Sequence, residues 1–446
     1  MLKNFLRSRS VVTGLFVVLS AGMMGIFTGR QHMHRLQKNI ETTVHLQQEH
    51  IQRNTQLFHE EMGLLLYHLR FSLVNQPHPL NALSIGQRDV NSSIQSLTIR
   101  NLEAQQYDTD LFNPCNLLAG NLDFSFVLIY LFPLLVIGFT YNILSEEKEG
   151  GTWKLVSAQS SQPVKVLVQK LSARLLVVGV LLLLLILLVS ITFSLPFNSS
   201  YLAVLVLSAL YILFWFSLSF WVISLQKKSS TNAVVLLSAW LLLTVILPGM
   251  ANNFIVGHYP VPEAMATTVA QREGYHEKWD IDPKTTMDKF YAHYPQFRKY
   301  GLPGKQFSWA WYYAMQQMGD DDAARQSMQM REKLWQREKA ASVIACFIPT
   351  VHAQYHLNTL ARSGLADQLH FLDSTARFHE KMRLHFYPKI FEDAPVSSEN
   401  WQAFTTAFFT EHIRISWGAL LLPSVVLMGL FTAWGGANFR KRPAAG

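Results

Sequence analysis

Six stretches of this 446-residue chain run for 19 or more residues without a single Asp, Glu, Lys, Arg or His: 11–29, 124–143, 175–195, 201–225, 232–254 and 415–438. A helix needs about 20 apolar residues to cross the hydrocarbon of a bilayer, so each run predicts a membrane-spanning helix. The run "LLVVGVLLLLLILLVSI" (175–191) favours insertion most strongly, at about 0.3–0.6 kcal/mol for each Leu, Ile or Val. The first run follows Lys3, Arg7 and Arg9, as a secretory signal would. It exceeds the roughly 7–15 residues of a signal core, and "FTGRQH" behind it is a poor cleavage site, so a retained first span is expected.

Two polar stretches between these runs are far longer than connectors. Residues 30–123 begin with Leu36, Ile40, Val44, Ile51, Phe58, Met62 and Leu65 on a strongly polar background, at spacings of three, four or seven. That period predicts a long helix continuing outward from the first span with a narrow apolar stripe. "NQPHP" (75–79) stops it, and a loop-like return follows. Residues 250–414 are long enough to form a domain of their own. There "DDDAARQSMQMREKLWQREKAA" (320–341) reads as a surface helix with its acids at the N-terminal end, where the helix dipole favours them. β-type alternation is scarce. The expected fold is therefore an all-α polytopic membrane protein: 1–29 with span one, 30–123 outside, 124–249 with spans two to five, 250–414 outside, and 415–446 with span six and a basic tail.

Composition agrees, with 50% hydrophobic and only 15% charged residues, against about 25% charged in soluble domains. Charge sets the orientation. With both termini inside, the inner segments hold 13 of the 38 Lys and Arg but only three of the 30 acids, a net of +10, and the outer segments carry −2. Basic residues gather on the cytoplasmic side of membrane proteins, which places both termini in the cytoplasm and the long segments outside. The excess of basic residues thus records orientation and does not point to nucleic acid.

Several chemistries are disfavoured. "GLPGKQ" (301–306) holds the Gly-Lys pair of a phosphate-binding loop, but Lys299 stands where its first Gly belongs and Gln306 replaces the hydroxyl. Any ATP and Mg must then be bound by another polypeptide. The spans lack the ionisable residues that ion- and proton-coupled carriers use at membrane depth. All 16 His lie in the outer segments; His32/His34 and His352/His356 have metal-like spacing, but nothing completes a ligand set, and polar surface His is the expected role. Cys115 and Cys346, one in each outer segment, are open to either a disulfide or two free thiols. The aromatic residues Tyr211, Phe214, Trp215, Phe216 and Trp221 suit either lipid-facing packing or the wall of a path for a hydrophobic substrate.

The three inner acids, Glu146, Glu147 and Glu149, sit together in "SEEKEGGTWKL" (145–155) between spans two and three. Gly150 and Gly151 permit a sharp turn, Thr152 can cap a short helix "WKLVSAQ", and Pro163 suits the first turn of span three. Trp153, Leu155 and Val156 are expected to face the membrane interface. Acids gain nothing near anionic lipid, so beside the plain reading of a solvated loop stands a contact with a partner protein bearing basic or amide donors.

"LSEEKEGGTWKLVSAQSSQPVKVLVQKLSARLL" resembles the connection between spans two and three of ABC-2 type transporter permeases. "NQPHPLNALSIGQRDVN", "NPCNLLAGNLDFSFVLIYLFPLLVIGFTYNILSEEKEGGTWKL" and "FIPTVHAQYHLNTLARSGLADQLHFL" resemble the ABC-2 subgroup with two large extracytoplasmic segments, long labelled a domain of unknown function. The likeness covers in effect the whole chain, and departs from the pattern at Cys115 and in a short N-terminus. It implies a non-catalytic exporter permease of the inner membrane, paired with a second copy or a related permease and driven by two separate ATPase subunits. Periplasmic or outer-membrane components are possible further partners. Glu146, Glu147, Glu149, Gly150, Gly151, Thr152 and Trp153 would then couple ATPase to membrane. Two other roles fit the residues: an ATPase-driven transmitter of force to the outer segments, and a scaffold or receptor with no ATPase.

Overall fold

The computed structural model describes residues 2–106, 121–159, 163–262, 278–302, 304, 307–411 and 414–441. Its first long element, α1 (Arg9–Leu57), is one helix of 49 residues, about 74 Å long at 1.5 Å per residue. The N-terminal part is apolar, and the far part keeps only a narrow buried stripe through Gln47, Ile51 and Asn54. Where α1 leaves the membrane part it touches other backbone directly. A Cβ at Gly25 would lie 2.9 Å from the Asp123 backbone, and one at Gly29 2.1 Å from the Ala82 carbonyl. Such close approach requires that no side chain be present.

After α1 come α2 (Met62–His68), β1 (Phe71–Asn75), β2 (Ile94–Leu97) and α3 (Leu102–Gln106). The membrane part follows: α4 (Phe124–Glu149), the short α5 (Trp153–Gln159), α6 (Pro163–Phe193), α7 (Ser199–Ser224) and α8 (Ser229–His258). Asp123 caps α4, accepting from the Phe126 amide at 2.9 Å and from the Ser125 hydroxyl at 2.7 Å, and it also accepts from the Ile85 amide at 2.9 Å. The remaining elements are α9 (Pro283–His293), α10 (Trp309–Ala345), α11 (Pro349–Ala361), α12 (Leu365–Phe391), β3 (Ala407–Phe409) and α13 (Trp417–Lys441). Among the described residues six helices, α1, α4, α6, α7, α8 and α13, are long and apolar enough to cross a membrane. The architecture is the expected all-α polytopic one.

One feature was not announced by the sequence pattern. β1 pairs antiparallel with β2 (Phe71 opposite Leu97, Val74 opposite Ile94) and parallel with β3 (Leu73 opposite Ala407, Asn75 opposite Phe409). β1 therefore joins the first polar segment to the far end of the second. Their apolar side chains also merge. Leu65, Leu66, Leu69, Phe71 and Ile99 pack in one buried cluster with Phe290, Tyr294, Tyr313, Phe386 and Tyr387. Residues 250–414 thus do not form a core of their own: they share one body, here called the head, with residues 30–123. Arg383 sits across the join. It donates to the carbonyls of Ile99 (3.1 Å) and Arg100 (2.6 Å) from the first segment and to Gln317 (2.5 Å) and Asp320 (2.7 Å) from the second.

A second buried cluster fills the membrane part, drawing Phe132 and Val136 from α4, Leu185 and Val189 from α6, and Phe214 and Trp215 from α7. Tyr211, Phe214, Trp215 and Phe216 are all buried within it, at 0–7% exposure. These four pack between helices instead of facing lipid, and Trp221, the fifth aromatic residue, is half-buried against Phe431 and Trp434 of α13. Leu357 and Leu360 of α11 enter the same cluster.

Candidate functional site

The acidic segment lies at the end of the helix bundle opposite the head. Ser145–Glu149 forms the last turns of α4. The Gly150 amide closes on the Glu146 carbonyl at 2.8 Å, and the Gly151 amide on Lys148 at 3.2 Å. Gly151 has φ +73°, the left-handed conformation with which helices commonly end. Gly150, at φ −81°, needs no such freedom. The chain then turns into α5. Thr152 donates its hydroxyl to the Glu147 carbonyl at 3.3 Å, tying α5 to the turn before it.

Each acid has a partner within the chain. Glu147 is ion-paired with Lys170 of α6. Glu149 accepts from the Ser229 amide at 2.8 Å and its hydroxyl at 3.0 Å, so its carboxylate sits at the first turn of α8, the end where the helix dipole favours negative charge. Glu146 is exposed and accepts from Asn142 of its own helix at 2.6 Å. Around them Lys148 donates to Gln226 at 2.7 Å, Ser229 to Ser145 at 2.8 Å and Asn232 to the Tyr141 carbonyl at 3.1 Å. Lys170, Ser229 and Asn232 carry no local signal in the sequence, because they stand in other helices 23 to 91 positions away.

Trp153 differs from expectation. It is buried at 2% exposure among the membrane-part side chains instead of lying at an interface, and Val156 packs against the same cluster. Leu155, on the other side of α5, is 65% exposed. An open pocket of about 550 Å³ adjoins the turn, lined by Phe5, Glu146, Glu147, Thr152, Lys170 and Arg174. The Arg174 guanidinium lies 5.1 Å from the Phe5 ring centre. The short helix is therefore anchored by one buried indole and open on its outer side, and the end of α4 from which it turns is braced to α6 and α8 through two carboxylates.

The other singled-out residues lie elsewhere. Cys346, at the end of α10, is exposed with its Sγ 3.5 Å from the Ser342 carbonyl. Cys115, its expected counterpart, falls outside the described residues. His352 and His356 are not surface residues. His352 is 1% exposed, the two ring centres are 4.5 Å apart, and both rings meet backbone carbonyls at the start of α13. Burial holds both imidazoles below their usual range, His356 down to about 4.

With the geometry in place, the chain can be set beside known proteins. A domain of unknown function, DUF3526, matches residues 264–408, which takes in α9 to α12 and most of β3. That is about a third of the chain and carries no activity in its name. No curated protein matches the chain, and no solved structure does.

Proposed function

We propose that this chain is the membrane subunit of an ABC-2 type exporter, driven by two separate ATPase subunits that press on α5. The observation that carries the reading is the construction of α5. A short helix between two spans, wedged in place by Trp153 and exposed at Leu155, is tied through Thr152 to the end of α4, which Glu147 braces to α6 and Glu149 to α8. Force on its outer side would pass through the turn to the end of α4, and from there through Glu147 to α6 and through Glu149 to α8. A solvated loop needs none of this bracing. The charge distribution supports a cytoplasmic position for this end, where ATP and Mg would be held by the partner, with the head outside the inner membrane. A second copy, or a related permease, would complete the pathway.

In this reading the acids divide their work. Glu147 and Glu149 hold the end of α4 against α6 and α8, and exposed Glu146, bonded to Asn142 of its own helix, is the one left to face the partner. Glu146→Gln is expected to reduce recovery of the ATPase on co-purification while leaving thermal stability unchanged. Normal recovery and normal coupling in that variant would remove Glu146 from the interface. Purification with no nucleotide-binding subunit at all would favour a scaffold.

One observation favours the force-transmitting alternative: the head is a single body whose α11 enters the same buried cluster as the spans. Reconstitution with the ATPase separates the two. Exporter function predicts hydrolysis stimulated by a transported compound and its movement across the vesicle, whereas force transmission predicts hydrolysis without translocation.

A further inference from the structure

Three spans are interrupted by proline in their head-side portions. In α4 a loosened π turn, Val127–Leu131, precedes Pro133; in α8 a similar turn, Leu242–Ile246, precedes Pro248; α13 carries Pro423 inside the helix. Proline brings no N–H and crowds the carbonyl four residues before it, so each site bends its helix and strands an acceptor. Inside a bilayer such acceptors must be satisfied by the protein.

The donors have two different origins. For α4 they come from neighbouring spans: the Tyr211 hydroxyl donates to Ile129 at 2.9 Å and the Trp240 indole to Tyr130 at 3.1 Å. For α8 and α13 they come from one helix, α11. In α8 the Leu247 amide bonds the Leu242 carbonyl five residues back, so the amide missing at Pro248 is the one that would have served Leu243. The Thr350 hydroxyl donates to Leu243 instead. In α13 the acceptor four residues before Pro423 is Ala419, and the His356 ring lies beside it. His352 Nε2 donates to the next carbonyl, Leu420, at 3.0 Å.

The opposite ties of α11 run into the head. Asn358 accepts from the Ser84 hydroxyl at 2.7 Å, and Arg88 donates to the Arg362 carbonyl at 3.0 Å. Ser363, just past α11, accepts from the Gln87 amide at 2.8 Å. The helix is also strung between the two longest head helices, α10 ending at Ala345 and α12 starting at Leu365. It is thus fastened to the head along one side and to two proline bends along the other.

We propose that α11 is a latch by which the head sets the bend of α8 and α13. While α11 is seated, Thr350 bonds the Leu243 carbonyl, His352 bonds Leu420 with His356 beside Ala419, and both bends are fixed. A head movement that withdraws α11 takes the donors from both bends at once, so each helix must change its curvature or find other partners. The latch stands independently of the ATPase reading.

Hydrogen–deuterium exchange on the full chain in lipid nanodiscs tests it. His356→Leu is expected to speed exchange in 417–424, and Thr350→Val in 242–249, by about tenfold, the equivalent of one net hydrogen bond. Peptides around Tyr313 and Phe386 in the head core should keep their parental rates. Unchanged exchange at the bends overturns the proposal, and so does equal acceleration through the head, which would make α11 ordinary packing. A second comparison covers a His356→Leu variant that merely loosens the fold. Pro423→Ala returns an amide to Ala419, so His356→Leu in that background should no longer speed exchange in 417–424. The same acceleration with and without Pro423 would refute the latch.

Discussion

Replacing Arg383 by Met removes the residue that pins the two polar segments into one head. The pair it forms with Asp320 is well shielded, with side-chain exposures of 3% and 11%. Asp320 also accepts from the amides of Leu102 (2.8 Å) and Glu103 (3.2 Å), so it orders the start of α3 as well. Met fills much of the volume but leaves the Ile99 and Arg100 carbonyls, Gln317 and a shielded carboxylate without their guanidinium. Breaking a buried pair from one side costs about 3–5 kcal/mol. A body of this size loses roughly 2–4 °C of Tm per kcal/mol, so near-UV thermal unfolding in detergent should fall by about 6–20 °C, with new tryptic cleavage in both segments. Adding Asp320→Asn should recover part of the loss, because the uncompensated charge goes with it; a coupling of about 1–3 kcal/mol is expected. Arg383→Lys should lie between, since an ammonium cannot span the fork of acceptors. A fall below about 3 °C in Arg383→Met, a small change on the same per-kcal scale, would show that the segments are not held together through this residue, and the single-head description would fail.

Three further outcomes are expected. Gly151→Val places a side chain at φ +73° where no neighbouring atom lies within 4 Å, so the cost is backbone strain without a clash; about 1–2 kcal/mol is expected from thermal unfolding, with Gly151→Asn milder. A double-mutant cycle of Glu147→Gln and Lys170→Gln should give a coupling of about 1–2 kcal/mol, between an open surface pair and a shielded charge-assisted bond; zero coupling would remove the brace between the end of α4 and α6. His356 is held to about 4 from an ordinary 6.5, so the folded state disfavours its proton: the stability it provides is complete above about 6.5 and is lost as pH falls toward about 4. Asp367, raised to about 6 by burial, acts in the opposite sense across 3.8 to about 6. The His356 contribution is therefore read as the difference between parent and His356→Leu, and parallel pH profiles would refute it.

The spans were legible because insertion depends on local apolar content, and an uncharged run of 20 residues has few other uses. The helix–turn–helix at 145–159 was legible for the same local reason, a glycine pair between two helical stretches. What the pattern did not carry is pairing over long separations. β3 is three residues long and finds β1 across more than 300 positions, so no alternation marks it, and without that link the two polar segments looked separate. Glu147 and Glu149 looked surplus because Lys170 and Ser229 lie 23 and 80 positions away. His352 and His356 show the limit from another side. Their spacing is the same whether they face water or a bent helix, and only the apolar residues around them, together with a proline a few residues into span six, hinted that they are buried. Trp153 was placed at the interface by its type, yet the glycine turn aims it inward.

The exporter reading rests on an ATPase meeting the outer side of α5, and a photo-crosslinking amino acid at position 155 tests that contact in the native membrane. Leu155 is 65% exposed and lies outside the bracing contacts, so the substitution leaves the helix in place. Mass spectrometry of the adduct should identify a polypeptide with a phosphate-binding loop, crosslinked in a manner that changes with ATP. Adducts with lipid alone, or with a protein that binds no nucleotide, would contradict the account.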